Sequence, residues 1–432
     1  SYRLTMANRI TRRDLLKQAT TLALTPLAIN SEKWTTINYN YGSKPSAVVV
    51  GAGAFGGWTA LYLLREGYDV TLFDTWGPGN ARASSGGETR LVRCMYGDKR
   101  VYFDLARRAL TLWKENEVQF DQQLFYPTGL LIFCQMEHYD YAEQARPLYE
   151  EAQMPLEWLA PDEIARRFPL VRTDDLHHAV YDPSAGFVLA REACTQVVKQ
   201  LTREGGTFQQ TQVLPGDTQS EQLNGVSLAD GSTITADRYV FANGPWLGKA
   251  FPELLQDKLR VTRQPVYMFG SPSQFSATSK ESQLPTWMNR DLANQERHYG
   301  VPGNDYRGFK IGYAPADAKP FDPTNDHRLV QPEEVEQTRA LLAYRFPFMK
   351  DAPLLESRVC QHTDTFDKHF IMDRHPDLQN TWILGGGSGH AFKHAPALGE
   401  LAAQLITGQK DVPSLFSFQR FSSATNFTRQ HH

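Results

Sequence analysis

Apolar and polar positions follow two rhythms along the 432-residue chain. From Ala47 to Val50 the apolar residues are unbroken, which predicts a strand buried on both faces, and they run straight into Gly51-Ala-Gly53-Ala-Phe-Gly56. The spacing then lengthens to that of a helix, with Trp58, Leu61, Leu63 and Leu64 on its buried side and Gly67 at its end. Asp69 to Phe73 reads as a second strand that stops at Asp74. Helical spacing returns from Val101 to Trp113, through Phe103, Leu105, Ala106, Ala109 and Leu110. Gly129 to Phe133 is a strand candidate, Pro161 after Ala160 is a helix start, and Phe187 to Thr202 reads as a helix closed by Gly205-Gly206. Strands are then expected at Thr207 to Val213 and Arg238 to Ala242, the two separated by a hairpin turn at Asp230-Gly231 and the segment Ser232 to Ala236. Val261 to Tyr313 alternates short strand-like runs with Pro and Gly turns, which predicts a separate, largely antiparallel sheet. A charged helix (Pro332 to Leu342), a strand (Trp382 to Leu384) and a helix (Pro396 to Ile406) complete the pattern.

The opening strand, glycine turn and helix carry the first chemical signal. In such a unit the first glycine makes a tight turn, the second lets backbone approach a pyrophosphate, and the third lets helix and strand pack closely; the helix N-terminus offers free N–H groups to phosphate. Asp74, at the end of the second strand, suits a ribose hydroxyl. A dinucleotide site follows. Length predicts two domains. The balance of 45 Lys+Arg against 48 Asp+Glu, a net charge of −3, provides no field to attract nucleic acid or an anionic membrane. Cys94, Cys134, Cys194 and Cys360 are widely spaced without a CxxC pair, so neither a metal site nor a disulfide scaffold is predicted. The sequence holds no apolar run long enough to form an integral membrane segment. Residues 1–44 read as a targeting segment and linker: Thr11-Arg12-Arg13-Asp14-Leu15-Leu16-Lys17, followed by the mildly apolar Ala19 to Ala28, resembles a bacterial twin-arginine export signal. The other reading is a short amphipathic helix that happens to carry two arginines. Export in the folded state would place the protein in the periplasm or outside the cell with its cofactor already loaded.

Three further stretches are specific. Trp76 to Arg90 is a loop of turn formers too small in side chain to fill a core, ending in Glu88-Thr89-Arg90-Leu-Val-Arg93. Cys360-Gln-His362 leads to His369-Phe370-Ile-Met-Asp373, and Gly385-Gly-Gly387-Ser388-Gly389-His390-Ala391-Phe392-Lys393 follows. Together and in this order, they closely resemble the monomeric sarcosine oxidase group, which includes N-methyltryptophan oxidase and, more distantly, the fructosyl amino acid oxidases and pipecolate oxidases. The resemblance runs from about Ser46 to about Gly408.

It implies an α/β protein with a doubly wound, Rossmann-like FAD domain built from residues 45–125, 186–262 and 355–419. The substrate domain would comprise residues 126–185 and 263–354, on a mixed, largely antiparallel sheet. FAD contacts would come from Gly51, Gly53, Ala54, Phe55, Gly56, Asp74, Ser84, Thr89, Arg90, Val213, Ala242, Gly244, Cys360, Gly387, Gly389, His390, Ala391, Phe392 and Lys393. Cys360 matches the cysteine that carries a thioether to the flavin; on its residue type alone it could be a buried free thiol. Lys310 matches the lysine that activates oxygen at flavin N5, where a cation favours the first electron transfer; a solvated strand lysine is the alternative. Tyr299 matches a pocket tyrosine, Arg90 an arginine near the flavin, and Arg93 and Lys393 the two cations that clamp a substrate carboxylate, unless either serves a structural ion pair.

Departures from the family pattern fall in the pocket. Ala314 stands where sarcosine oxidases have a histidine, His362 where they have a tyrosine, and Ser85-Gly86 replaces a histidine pair. His362 is expected to stand in for a lost group. Sarcosine itself is in doubt, and a larger N-substituted or cyclic amino acid fits as well. The implied activity is oxidation of a C–N bond to an imine, with O2 reduced to H2O2, by a monomer or small homo-oligomer. A dehydrogenase passing electrons to a quinone or carrier protein, or a non-catalytic flavin-binding protein, are the rival readings.

Overall fold

The computed structural model describes residues 44–272, 284–291, 296–303, 307–315 and 318–422. The segment read as an export signal lies outside them. Two large sheets organise the rest.

The first is six-stranded, in the order Ile371–Arg374, Thr381–Gly385, Arg238–Phe241, Ser46–Val50, Asp69–Asp74, Thr207–Gln210. All neighbours are parallel except the edge strand Ile371–Arg374, which runs antiparallel to Thr381–Gly385. Every residue from Ala47 to Val50 is buried, as expected of a strand covered on both faces. Ser46–Val50 sits between Asp69–Asp74 and Arg238–Phe241, so chain order reverses there. Such a switch point opens a crevice at the carboxyl ends of the strands.

The helix Gly56–Arg65 buries Trp58, Leu61 and Leu63, and Trp58 meets Trp113 of the helix Arg100–Phe120 edge to face at 5.2 Å. The helix Ala395–Ile406 approaches so closely that a Cβ on Gly399 would lie 2.6 Å from the Trp58 backbone carbonyl carbon.

The second sheet is eight-stranded, in the order Leu354–Asp364, Arg260–Phe269, Phe309–Ala314, Glu296–Val301, Thr286–Asp291, Leu130–Cys134, His178–Asp182, Glu157–Leu159. Its pairs are antiparallel apart from Thr286–Asp291 with Leu130–Cys134. The molecule is thus an α/β fold with a mainly parallel sheet beside a mixed, largely antiparallel one. Among the described residues, no helix is long and apolar enough to cross a membrane.

Four boundaries differ from the sequence reading. The helix expected from Phe187 begins at Ala190, because Gly186–Leu189 is drawn into a small sheet against Thr89–Val92. The strand expected from Thr207 to Val213 divides: Thr207–Gln210 joins the parallel sheet, while Val213–Pro215 turns away to pair with Val226–Leu228. The helix expected to end at Trp113 continues to Phe120, since Asn116 and Phe120 extend its buried stripe, and Asp121 stops it in a left-handed conformation. The charged helix runs on to Arg345, whose guanidinium is buried against Asp175 at 2.8 Å.

Candidate functional site

A cavity of about 1200 Å³ opens at the carboxyl ends of the parallel strands and is walled on its far side by the second sheet. Its floor is the glycine turn. Gly51 holds φ +106°, and a Cβ there would lie 2.3 Å from the Ala242 carbonyl oxygen; a Cβ on Gly56 would lie 1.9 Å from the Gly51 carbonyl oxygen. The Ala52 N–H donates to Asp74 Oδ2 at 2.8 Å and the Trp76 N–H to Oδ1 at 2.9 Å, so the acid that ends the second strand braces the turn. Burial pushes the Asp74 carboxyl above its ordinary value, and these backbone donors pull it back. The Ala54 N–H donates to Ser85 Oγ at 3.1 Å. No side chain caps the helix Gly56–Arg65 and its first turn carries no acid, which leaves an N-terminus suited to phosphate.

The strand Leu354–Asp364 brings Cys360, Gln361, His362 and Thr363 to the cavity. The Ser388 N–H donates to the Thr363 carbonyl at 2.9 Å, tying the Gly385–Gly389 turn of the parallel sheet to this strand of the other. Gly389 holds φ +74°, and a Cβ there would lie 2.5 Å from His362 Cε1. His362 is deep in the cavity, and desolvation, aided by Arg90 and opposed by Asp364, lowers it to about 4. It is uncharged at neutral pH. Cys360 Sγ lies 3.6 Å from Arg90 Nη2 and 3.7 Å from the Ser84 carbonyl oxygen. Of the four cysteines it alone lines the cavity.

Arg93 and Lys393 share one end of this space with Tyr96. The Arg93 guanidinium stands 4.8 Å from the Tyr96 ring centroid and donates to the Met95 carbonyl. Lys393 Nζ donates to the Tyr96 hydroxyl at 3.0 Å and to the His390 carbonyl at 2.7 Å. Burial first, and the nearby Arg93 second, hold Lys393 well below the ordinary lysine range. Met288, His298, Tyr299, Tyr313 and Ala314 also face the cavity, with the His298 and Tyr313 rings stacked at 4.7 Å.

Most of the residues singled out from sequence therefore line one space: Gly51, Gly53, Ala54, Phe55, Asp74, Ser84, Arg90, Arg93, Val213, Ala242, Gly244, Tyr299, Cys360, His362 and the Gly387 to Lys393 segment. Three do not line it. Gly56 serves the close approach of helix to turn. Thr89 is buried beneath the wall, its carbonyl accepting from Arg90 Nη1 at 2.8 Å and from Lys310 Nζ at 2.6 Å. Lys310, only 2% exposed, is thus held behind the wall, 5.6 Å from the Tyr299 ring centroid. Its charge is disfavoured first by burial, then by Arg90 and Arg358.

A sequence-family profile described as FAD dependent oxidoreductase matches residues 46–405. The chain belongs to that family. This FAD-dependent oxidoreductase is sarcosine oxidase-like. It is 32% identical to a monomeric sarcosine oxidase of Bacillus sp. (strain B-0618), over 86% of this chain and 95% of the relative. It is also 28% identical to an N-methyl-L-tryptophan oxidase of Salmonella dublin, over 88% and 100%. The fold matches an L-proline dehydrogenase from P. horikoshii with a TM-score of 0.75, at 20% identity over 88% of this chain and 98% of that one. It likewise matches the fructosamine oxidase amadoriase II from Aspergillus fumigatus with a TM-score of 0.71, at 24% identity over 86% and 88%.

The cavity of this oxidoreductase fits FAD on its own chemistry. Ser84 Oγ, Asn243 Oδ1, Gln264 Oε1 and Thr363 Oγ1 are buried with no protein partner among the described residues, although such atoms are normally satisfied. A ligand rich in donors and acceptors, with a pyrophosphate for the uncapped helix, answers that deficit.

Sequence reasoning left five contributors without a role. Ser85 anchors the glycine turn, and its replacement of a family histidine was visible without its role. Trp76 and Trp246, ring centroids 4.5 Å apart, wall the cavity from separate segments. Tyr96 follows Arg93 by three positions and was legible as a neighbour only. No pattern in the sequence pointed to His394, which reaches the site through Tyr96.

Proposed function

We propose that this FAD-dependent oxidoreductase is an oxidase acting on the C–N bond of an amino acid that is N-alkylated, cyclic or otherwise substituted. The carrying observation is that Arg93 and Lys393, from opposite ends of the chain, meet at one end of the cavity wall that also bears His362 and Cys360. Such a pair grips a carboxylate, the arginine through its two-pronged fork and the lysine as a point charge. Bound FAD supplies an acceptor for the hydride leaving the carbon beside the amine. The two cations orient that carbon, which is catalysis by positioning. With Arg93, Lys393 and Arg90 already present, the uncharged His362 and the half-buried Tyr299 add no further positive charge, and the amine is favoured in its neutral form. The substrate loses two electrons and two protons, dioxygen gains them as hydrogen peroxide, and the imine hydrolyses in water. Lys310 would supply the cation near which charge develops on dioxygen.

Two finer readings accompany this one. Cys360, the cysteine at the cavity, would carry a thioether to the flavin. The twin-arginine segment would direct export to the periplasm or beyond, and an Arg12→Lys, Arg13→Lys double variant should then stay in the cytoplasm on cell fractionation.

The direct test is to screen amino acids and N-alkyl amino acids for peroxide release and for anaerobic bleaching of the flavin. Bleaching with peroxide release is expected. Bleaching by no amino acid would leave a flavin-binding protein without this activity. One observation favours a second reading: the Lys310 amino group donates to the Thr89 carbonyl behind the wall, with its charge disfavoured by burial, which suits a dehydrogenase that does not use oxygen. Stopped-flow reoxidation in air-saturated buffer separates them, since rapid return of the oxidised spectrum is expected only of the oxidase.

A further inference from the structure

His394 does not line the cavity, yet it is wholly buried and its Nε2 lies 2.7 Å from the Tyr96 hydroxyl. That hydroxyl has three close partners, the others being His390 Nδ1 at 3.0 Å and Lys393 Nζ at 3.0 Å. A hydroxyl offers one hydrogen and two lone pairs, so the three bonds can be assigned by elimination. His390 Nε2 lies 2.9 Å from the Lys368 carbonyl oxygen, which can only accept, so Nε2 carries the hydrogen. Burial and the neighbouring Lys393 keep His390 neutral, which leaves Nδ1 as an acceptor, and the Tyr96 hydroxyl must donate to it. Its one hydrogen is then used. Lys393 and His394 must both donate to the oxygen, which places the His394 hydrogen on Nε2. His394 Nδ1 is left as a buried lone pair with no partner among the described residues, in keeping with a ring whose charge burial also opposes.

We infer that His394 is a positioning residue for the acid-binding lysine: its Nε2–H holds the Tyr96 hydroxyl in the orientation that accepts from Lys393 and donates to His390. With the hydroxyl so turned, two Lys393 hydrogens are committed, to Tyr96 and to the His390 carbonyl, so the amino group is aimed by fixed acceptors, and a bound carboxylate offsets burial and Arg93 to favour its charged form. Without the His394 donor the Tyr96 oxygen keeps only Lys393 and His390 as close partners, and the ring is held less firmly where Lys393 needs its acceptor. The inference rests on the reading of Arg93 and Lys393 as a carboxylate clamp.

The test uses acetate as the probe, titrated into flavin-loaded protein and followed through the visible flavin spectrum. Lys393→Met should weaken acetate binding strongly; unchanged binding would overturn the clamp reading itself. With the clamp intact, His394→Leu should raise the acetate Kd on the order of tenfold, the loss of about one hydrogen bond to a charged partner. His394→Gln, whose side-chain amide can donate to the same oxygen, should stay within about threefold of the parent. In a Tyr96→Phe background His394→Leu should add nothing, because the link is already cut. A His394→Leu protein that melts lower but binds acetate as the parent does would make His394 merely structural and overturn the inference. Histidine-labelled parent protein gives a reading that needs no substituted protein to fold: nitrogen resonances must show the Nε2–H form at His394, and the Nδ1–H form would overturn the assignment.

Discussion

Cys360 and His362 lie two positions apart on one strand and make different demands on an experiment. The Cys360 thiol sits between the Arg90 guanidinium and the Ser84 carbonyl at the cavity wall. If it carries the flavin, acid precipitation of the parent protein leaves a yellow pellet, while Cys360→Ser releases its flavin to the supernatant. A colourless parent pellet would rule the thioether out. His362 bears on acid stability. In the unfolded chain its imidazole takes up a proton near pH 6.5, but the folded site refuses it until about pH 4. Between those values the unfolded state binds more protons, so stability falls as pH falls, by about 2–3 kcal/mol in all. His362→Gln should flatten that part of the stability curve in urea titrations from pH 7 to 4. An unchanged slope would mean that the ring is solvated in the folded protein.

At the scale of the element, the Gly385–Gly389 turn joins the two sheets through the Ser388 N–H and the Thr363 carbonyl. Gly389→Ala places a side chain in a left-handed conformation and against the His362 ring at once. The conformational penalty is about 1–2 kcal/mol and the overpacking about 1–3 kcal/mol, so a fall in Tm of several degrees is expected. Adding His362→Ala should recover the second part and leave the first, and recovery of neither would assign the whole cost to the backbone. The same elements show what could be read from sequence. Ala47 to Val50, the helix from Gly56 and the helix to Ile406 were legible because periodicity, glycine spacing and burial agree there. Phe187 to Leu189 was not, because three apolar residues before a helix satisfy either pattern and pairing with Thr89–Val92 decides it. Thr207 to Val213 failed as one strand for a similar reason. Its polar Gln209 to Gln212 stretch carries no hydrophobic alternation to mark where pairing changes sheets.

For the whole molecule, the family motifs picked out residues that line one cavity because those motifs are the turns and strand ends that the sheets bring together. The position of Lys310 behind the wall and the chain from Lys393 through Tyr96 to His394 depend on side-chain directions that no spacing encodes. Stability should be shared with the cofactor, since both sheets wall the same cavity. In a Cys360→Ser protein, where any covalent anchorage is removed, Tm should rise with added FAD. At a hundred times the Kd the gain would be about 2.7 kcal/mol. A Tm indifferent to FAD would mean that the cavity does not take up the free cofactor.

The tie between Ser388 and Thr363 brings together a turn and a strand that both lie in the last quarter of the sequence, whereas Gly51 and Asp74 emerge in the first. A ribosome-bound nascent chain therefore exposes the glycine turn long before the strand and turn that face it have been translated, and the cavity is complete only when synthesis is nearly finished.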